Sequence, residues 1–353
     1  MVMAGLAGYG VWDHYSPRSN GAGSSSSHSQ ESKEKSTDEG GSNRLTTLDP
    51  YRRALAEAQN TLQKRPWEEA LSAYVELAEH YGDREEPRHQ LSDLLAAALN
   101  DPGRIREDNF PILKPVLERA ARLGVVPAML LLAQRLRATE PDQTLSWYQQ
   151  AVQQGSTAAM VQVGLLLSAR HTPEDNHKAL EYFIRAANGN NPEGKYCAGE
   201  CLYFPRPGIV VNEAKALEYL QEAATLGEAR AMNLLGIHYR KLRRYEEARR
   251  YFEEAAHKGS ATATANLGEL YLNGEAGVTD AEKAAALFRQ AAEQGHAGAM
   301  FYYGRCLWEG VGVSKDLELG RAWLQKAAQA GSRAAATFLQ QHDKPGQRNT
   351  ADN

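Results

Sequence analysis

"EEAAHKGSATATANLGELYLNG", residues 253–274, holds two glycines inside what otherwise reads as helix. Gly259 follows an Ala-Ala pair, and Gly268 comes nine residues later among good helix formers. A glycine in a helix interior costs about 1 kcal/mol relative to alanine, so their presence asks for a reason. The reason is periodic. The same glycine closes "ERAARLG" at Gly124, "QQAVQQG" at Gly155, "QEAATLG" at Gly227, "EEAAHKG" at Gly259, "RQAAEQG" at Gly295 and "QKAAQAG" at Gly331. "RAANGN" puts Asn190 at that place, and successive intervals are 31, 35, 37, 32, 36 and 36. Asparagine is the other residue that tolerates a left-handed backbone. The row therefore reads as helix C-caps and not as a ligand site.

Nine residues after each cap stands a second small residue, Ala133, Gly164, Gly199, Gly236, Gly268 and Gly304, except after the last cap, where Gln340 stands. That offset never slips although the repeat length does, so length variation is confined to one loop. Eight residues before each cap stand Trp147, Tyr182, Tyr219, Tyr251, Leu287 and Trp323. Small residues stand eleven before (Ala179, Ala216, Ala248) and four before (Ala186, Ala223, Ala255). These offsets are i, i+3 and i+7 of one helix face. A face built small–large–small lets another helix come close. Each unit then reads as a helical hairpin. Its first helix starts just after the cap, with Ser156, Ser260 and Ser332 placed as N-caps, and carries the mid-helix glycine. Asp280 and Asp316 fit the start of the second helix.

Single hairpins of this kind are not apolar enough to stand alone, but stacked hairpins bury a continuous core. Six full units fit between about residue 125 and 330, and 332–341 reads as a terminal helix. Upstream, 109–123 reads as the second helix of an earlier unit with 86–100 as its partner, and 50–81 as a further helical pair. The expected fold is all-α: a right-handed α/α superhelical solenoid of about six clear repeats plus degenerate N-terminal units. The expected domains are a leader and linker (1–48), degenerate repeats (49–124), the array (125–341) and a tail (342–353). A coiled coil fails, because glycine breaks recur every 31–37 residues and no heptad is sustained.

"ATANLGELYLNGEAGVTDAEKAAALFRQAAEQGHAGAM" and "AGAMFYYGRCLWEGVGVSKDLELGRAWLQKAAQAGS" resemble Sel-one-like repeats, a relative of tetratricopeptide repeats. "ARAMNLLGIHYRKLRRYEEARRYFEEAAHKGS" is shorter and more similar to a plain tetratricopeptide repeat. The resemblance covers 125–340 well and 50–124 weakly. It implies a scaffold for protein partners. One branch of that family bridges the two helices of each unit with paired cysteines. Cys197 and Cys201 lie four apart on one helix, so that branch is not indicated.

The chain has 353 residues and a formal net charge of −4. No global field draws nucleic acid or an acidic membrane. Three cysteines are too few for a disulfide framework, which favours a reducing compartment and a cytoplasmic location. Residues 1–12, "MVMAGLAGYGVW", are apolar but shorter than the roughly 20 residues that span a bilayer. They read either as a disordered leader or as the trailing end of a membrane anchor, which would tether the chain through a segment before residue 13. Residues 16–48 hold a Ser/Gly-rich stretch that reads as a flexible linker.

Catalytic signatures are weak: no HExxH, GxSxG or Walker loop occurs. "EGVGV" at 309–313 is explained by the repeat's own loop. Cys197 and Cys201 lack a second pair for a tetrahedral metal site and read as packing residues. His171 and His177 read as solvated, with no matched carboxylate. The basic run "YRKLRRYEEARR", 239–250, is offset by Glu246–Arg250, Arg249–Glu253 and Arg250–Glu254 pairs at i, i+4. No cofactor or metal is expected.

One stripe stands out. Offsets −1, +2 and +3 from the first-helix glycine are mostly apolar and belong to the core. Offsets −2, +1 and +5 vary: Gln162-Leu165-Ala169, Cys197-Glu200-Phe204, Leu234-Ile237-Lys241, Asn266-Glu269-Asn273 and Tyr302-Arg305-Glu309. With first helices lining the inner curve, this stripe would be the concave surface. An extended peptide or partner helix would bind there. Phe204, Leu234, Ile237 and Tyr302 would anchor it, and Glu200, Glu269 and Arg305 would select it. The expected function is a non-catalytic interaction scaffold. The alternatives are a regulatory repeat module tethered to a membrane or enzyme module, and a hydrolase built on the repeat.

Overall fold

The computed structural model describes residues 49–342 except 65, 102, 276 and 278. The expected leader and linker, and the tail from 343 onward, lie outside the described residues. Of the two units into which the chain divides, 1–53 and 54–353, the second carries every repeat and is the one described below.

Seventeen helices occur among the described residues. Four precede the array: α1 (Pro50–Lys64), α2 (Trp67–His80), α3 (Glu86–Leu99) and α4 (Phe110–Arg122). Six hairpins follow: α5 (Val126–Leu136) with α6 (Pro141–Gln153), α7 (Thr157–Ser168) with α8 (Pro173–Asn188), and α9 (Pro192–Tyr203) with α10 (Glu213–Thr225). The last three are α11 (Ala229–Lys241) with α12 (Tyr245–His257), α13 (Ala261–Leu272) with α14 (Ala281–Glu293), and α15 (Ala297–Glu309) with α16 (Leu317–Gln329). A single helix, α17 (Arg333–His342), closes the stack. Each helix of the array packs on its sequence neighbours, which makes an α-solenoid. One expected pairing differs. The closest approaches of α3 run to α2 and α5 rather than to α4, because a ten-residue connection separates α3 from α4.

The cap row takes the backbone conformation its residues announce. Gly155, Gly227, Gly259, Gly295 and Gly331 have φ between 80° and 92°, and Asn190 has φ 58°. At Gly259 the glycine N–H bonds the Ala256 carbonyl at 2.8 Å, and the Ser260 N–H bonds the Ala255 carbonyl at 3.1 Å. This two-bond Schellman closure recurs at each cap of the array. The residue after the cap then starts the next helix: Ser156 and Ser260 accept from Ala159 and Ala263, each at 3.2 Å, and Ser332 accepts from Ala335 at 3.3 Å. Asp280 and Asp316 cap the second helices by accepting from Lys283 and Leu319, each at 2.9 Å. Three residues therefore always suffice between units. All length variation falls in the loop inside the hairpin.

The mid-helix glycines answer to a different constraint. A Cβ on Gly236 would lie 2.5 Å from Cε1 of Phe252, and one on Gly268 would lie 2.8 Å from Cε1 of Phe288. Gly164 meets Phe183 in the same way; Gly199 meets Leu220 and Gly304 meets Leu324. These rings and leucines are fully buried. The knob therefore stands seven residues before the cap, not eight. Tyr182, Tyr219, Tyr251, Leu287 and Trp323, expected on this face, are only half-buried and flank it. The packed face is i, i+4, i+7, as in Ala179-Phe183-Ala186. The pair α5–α6, with Ala133 in place of glycine, is the most loosely apposed of the six.

No helix among the described residues is long and apolar enough to cross a membrane.

Candidate interaction surface

The first helices α7, α9, α11, α13 and α15 present offset +1 from the glycine as a half-exposed row: Leu165, Glu200, Ile237, Glu269 and Arg305. The neighbouring offset −1 (Val163, Ala198, Leu235, Leu267, Tyr303) is buried throughout, as its apolar character demands. This much agrees with the expected stripe. Offset −2 does not. Leu234 is 5% exposed inside the core and cannot anchor a partner, and Cys197 is 3% exposed. The reason is a neighbour that one helix's periodicity cannot reveal: offset −2 borders the seam between successive first helices, as the contact of Asn266 on α13 with Asn233 on α11 shows.

The seam explains where the stripe's charges go. Glu200 accepts from Arg206 at 2.8 Å and from the Tyr196 hydroxyl at 2.6 Å. Arg206 also donates to Ser168 Oγ at 2.9 Å, tying α7 to the loop after α9. Glu269 accepts from Arg240 of the preceding unit at 3.1 Å, and Arg240 donates to both Glu275 oxygens at 2.6 and 3.1 Å. Tyr302 lies near Glu269 from the following unit, and burial, with that carboxylate as a smaller cause, pushes its phenol up to about 12. Its ring stacks on Phe288 at 4.8 Å. Arg305 donates to Glu309 at 2.9 Å. Arg230, which the stripe did not include, bridges Glu193 and Glu228 and lies 4.6 Å over the Tyr196 ring. The residues expected to select a partner by charge are thus already paired, and one of them, Glu269, clasps its unit to the preceding one.

Besides Leu165, two of the expected anchors stay accessible as apolar contacts. Ile237 and Phe204 are half-buried, with Phe204 edge-on to Tyr203 at 5.0 Å. One turn from Ile237 and one turn from Glu269 stands a polar pair: Asn266 Nδ2 donates to Asn233 Oδ1 at 2.8 Å, linking α13 to α11. Arg240, Arg230 and Asn233 were the functional neighbours that sequence reading missed. Their signal is a match between residues 29 to 37 apart in neighbouring units, not a pattern within one helix.

The remaining candidates take structural places. Cys197, Cys201 and Cys306 are free and buried; burial pushes the Cys201 and Cys306 thiols up to about 11 and raises Cys197 well above its ordinary value. His177 does have a carboxylate, Glu181 at 3.6 Å, one turn away. Arg249 pairs with Glu246 at 2.6 Å and Glu253 at 3.3 Å, so the first of these replaces the expected Glu246–Arg250 pair. Gly310 takes φ 77° as the C-cap of α15, and Gly312 lies against the Ala281 carbonyl, which accounts for "EGVGV". Among the described residues no group of three or more His, Cys, Asp or Glu side chains is arranged to hold a metal ion.

The family model of the Sel1 repeat matches six consecutive segments: 127–156, 157–191, 195–228, 229–260, 261–296 and 297–332. Each segment ends on the residue that follows a cap, except that the third begins inside α9. An uncharacterized protein of Neisseria meningitidis serogroup B is 30% identical over 196 residues, covering 45% of this chain and 42% of its own. The chain thus spans less than half the length of that curated relative. Among solved structures, a protective antigen of uropathogenic Escherichia coli strains with an SLR fold superposes with a TM-score of 0.67 at 24% identity, over 83% of this chain and 64% of that one. A Sel1 repeat protein from Oxalobacter formigenes gives a TM-score of 0.64 at 25% identity, over 90% and 98%.

Proposed function

The chain belongs to the Sel1 repeat family, and from that premise we propose that it is a non-catalytic scaffold that binds a peptide or helix of a protein partner along its first-helix face. One observation carries the reading. The +1 row sits half-exposed at the margin of the core, where Leu165 and Ile237 pack against it with part of their surface still open, and it mixes these apolar residues with polar groups. Such mixed, rigidly held surfaces suit protein partners better than reactions. The buried thiols are held protonated, which argues against a nucleophilic role for them.

Affinity capture with the wild-type chain and Ile237→Glu in parallel tests the reading, with Ile112→Glu on α4, 73% exposed, as a surface control. A partner held by wild type and by the control but lost by Ile237→Glu supports it. Equal retention by all three overturns it.

A further inference from the structure

We propose that the tip of the α11–α12 hairpin is a docking site for an acidic segment of a protein partner, one that carries an aspartate or glutamate beside an apolar side chain. The site lies on the hairpin-loop edge of the array and stands whether or not the first-helix face binds. Its centre is Arg243. The Arg243 N–H bonds the Arg240 carbonyl and the Arg244 N–H bonds the Tyr239 carbonyl, each at 2.9 Å. That is the closure made at the unit caps, where glycine or asparagine stands, and Arg243 takes the same left-handed backbone with φ 60°. A side chain in that region costs backbone energy that glycine would avoid. Yet the exposed Arg243 guanidinium makes no ion pair or hydrogen bond among the described residues. His171 at the α7–α8 turn shares the conformation, at φ 55°, but has no exposed large apolar side chain beside it.

The neighbours of Arg243 set the chemistry of the tip. Leu242 is 52% exposed, and Lys241, also exposed, has no ion pair among the described residues. The connection before α10 comes alongside: Glu213 Oε1 lies 3.2 Å from His238 Nδ1, and the Leu242 N–H bonds the His238 carbonyl at 3.1 Å. That connection brings Val210, 86% exposed, and Val211 to the same edge. The other charges around the tip already have partners. Arg240 holds Glu269 and Glu275, Arg244 holds Glu247, Arg249 holds Glu246, and Glu213 faces His238. Two cations and three apolar side chains are left open together. Attraction between a cation and a carboxylate strengthens where apolar neighbours displace water, so a carboxylate flanked by an apolar residue meets both halves of the patch. An anionic bilayer offers the same chemistry on a flat surface. The tip, however, is three residues long (242–244) between connections of nine (204–212) and eight (273–280), and the chain carries a net charge of −4. Both favour an inserted protein segment over an extended negative surface.

The probe is a set of immobilised dodecapeptides with a Ser/Gly background and a central pair: Asp, Glu, Asn, Gln or Lys next to Leu, Ile, Phe or Ser. The full chain is applied as wild type, Lys241→Gln and Arg243→Gly. Glycine suits the left-handed turn, so Arg243→Gly keeps the fold and separates lost binding from lost structure. Wild type is expected to be retained by Asp or Glu beside Leu, Ile or Phe about fivefold more strongly than by the matching amides, the scale of a partly desolvated ion pair. That preference is expected to fall below about twofold in one or both variants. Equal retention by carboxylate and amide peptides, no retention by any acidic peptide, or a preference that survives in both variants overturns the proposal. Co-sedimentation with phosphatidylserine vesicles that is lost in Arg243→Gly, without binding to the acidic peptides, assigns the tip to a lipid surface and overturns it as well.

Discussion

Gly236→Ala puts the packing argument to a direct test. Alanine is the better helix former by about 1 kcal/mol, so on propensity alone the change stabilises α11. The new methyl, however, would stand 2.5 and 2.6 Å from Cε1 and Cδ1 of Phe252, against ordinary contact at 3.4–4 Å. Phe252 cannot step aside, because it is fully buried on a helix whose Ala248 and Ala255 are fully buried as well. One of the two helices must move out by about 1 Å. Overpacking of this kind costs about 1–3 kcal/mol, and a ring this enclosed belongs near the top of that range. The net expectation is a loss of about 2 kcal/mol. Unfolding of a long repeat array need not be two-state, so the assay is local: amide hydrogen exchange of peptides covering 229–257. Protection there is expected to fall about 30-fold, the equivalent of 2 kcal/mol. The double variant Gly236→Ala with Phe252→Leu, which copies the glycine–leucine pairing of Gly199 with Leu220, is expected to regain part of the loss. Unchanged or increased protection in Gly236→Ala would refute the reasoning.

Other outcomes follow from the same geometry. Asn190→Gly, at φ 58° in a row otherwise filled by glycine, is expected to stabilise the chain by up to about 1 kcal/mol in urea denaturation. His238 is 6% exposed, and burial holds its imidazole below the ordinary value of 6.5 despite Glu213 at 3.2 Å. Its unfolded form binds the proton more readily, so stability is full above about pH 6.5 and falls as the pH drops below it. His238→Gln is expected to flatten that slope. Native chain at pH 8 is expected to leave all three thiols nearly unreactive to Ellman's reagent, and denatured chain to expose three per chain. Arg240→Ala strands Glu269 and Glu275 at a half-buried seam, and hydrogen exchange in α13 is expected to rise by several-fold.

Much of the fold was legible because its signals are local. A left-handed cap needs glycine or asparagine, an N-cap needs a short polar side chain, and both stand where the chain turns. The knob was harder. Tyr251 and Phe252 are adjacent and both large, as are Tyr182 with Phe183 and Trp323 with Leu324. At 3.6 residues per turn, i+3 and i+4 faces overlap, and only the neighbouring helix decides which side chain enters. The surface was harder still. Variation at Leu234, Asn266 and Tyr302 reads as freedom to contact a partner. It reflects instead unit-by-unit matching across seams: a core leucine, an amide bonded to an amide, a tyrosine set near Glu269. Such matches join residues about one repeat apart, and no single-helix pattern carries them.

The binding face is tested most directly by hydrogen exchange on the full chain with and without a saturating dodecapeptide selected on it from a random phage-displayed library. Added protection is predicted in α9, α11 and α13, with little change in α10, α12 and α14. Protection concentrated on the second helices or on the loops within the hairpins would contradict it.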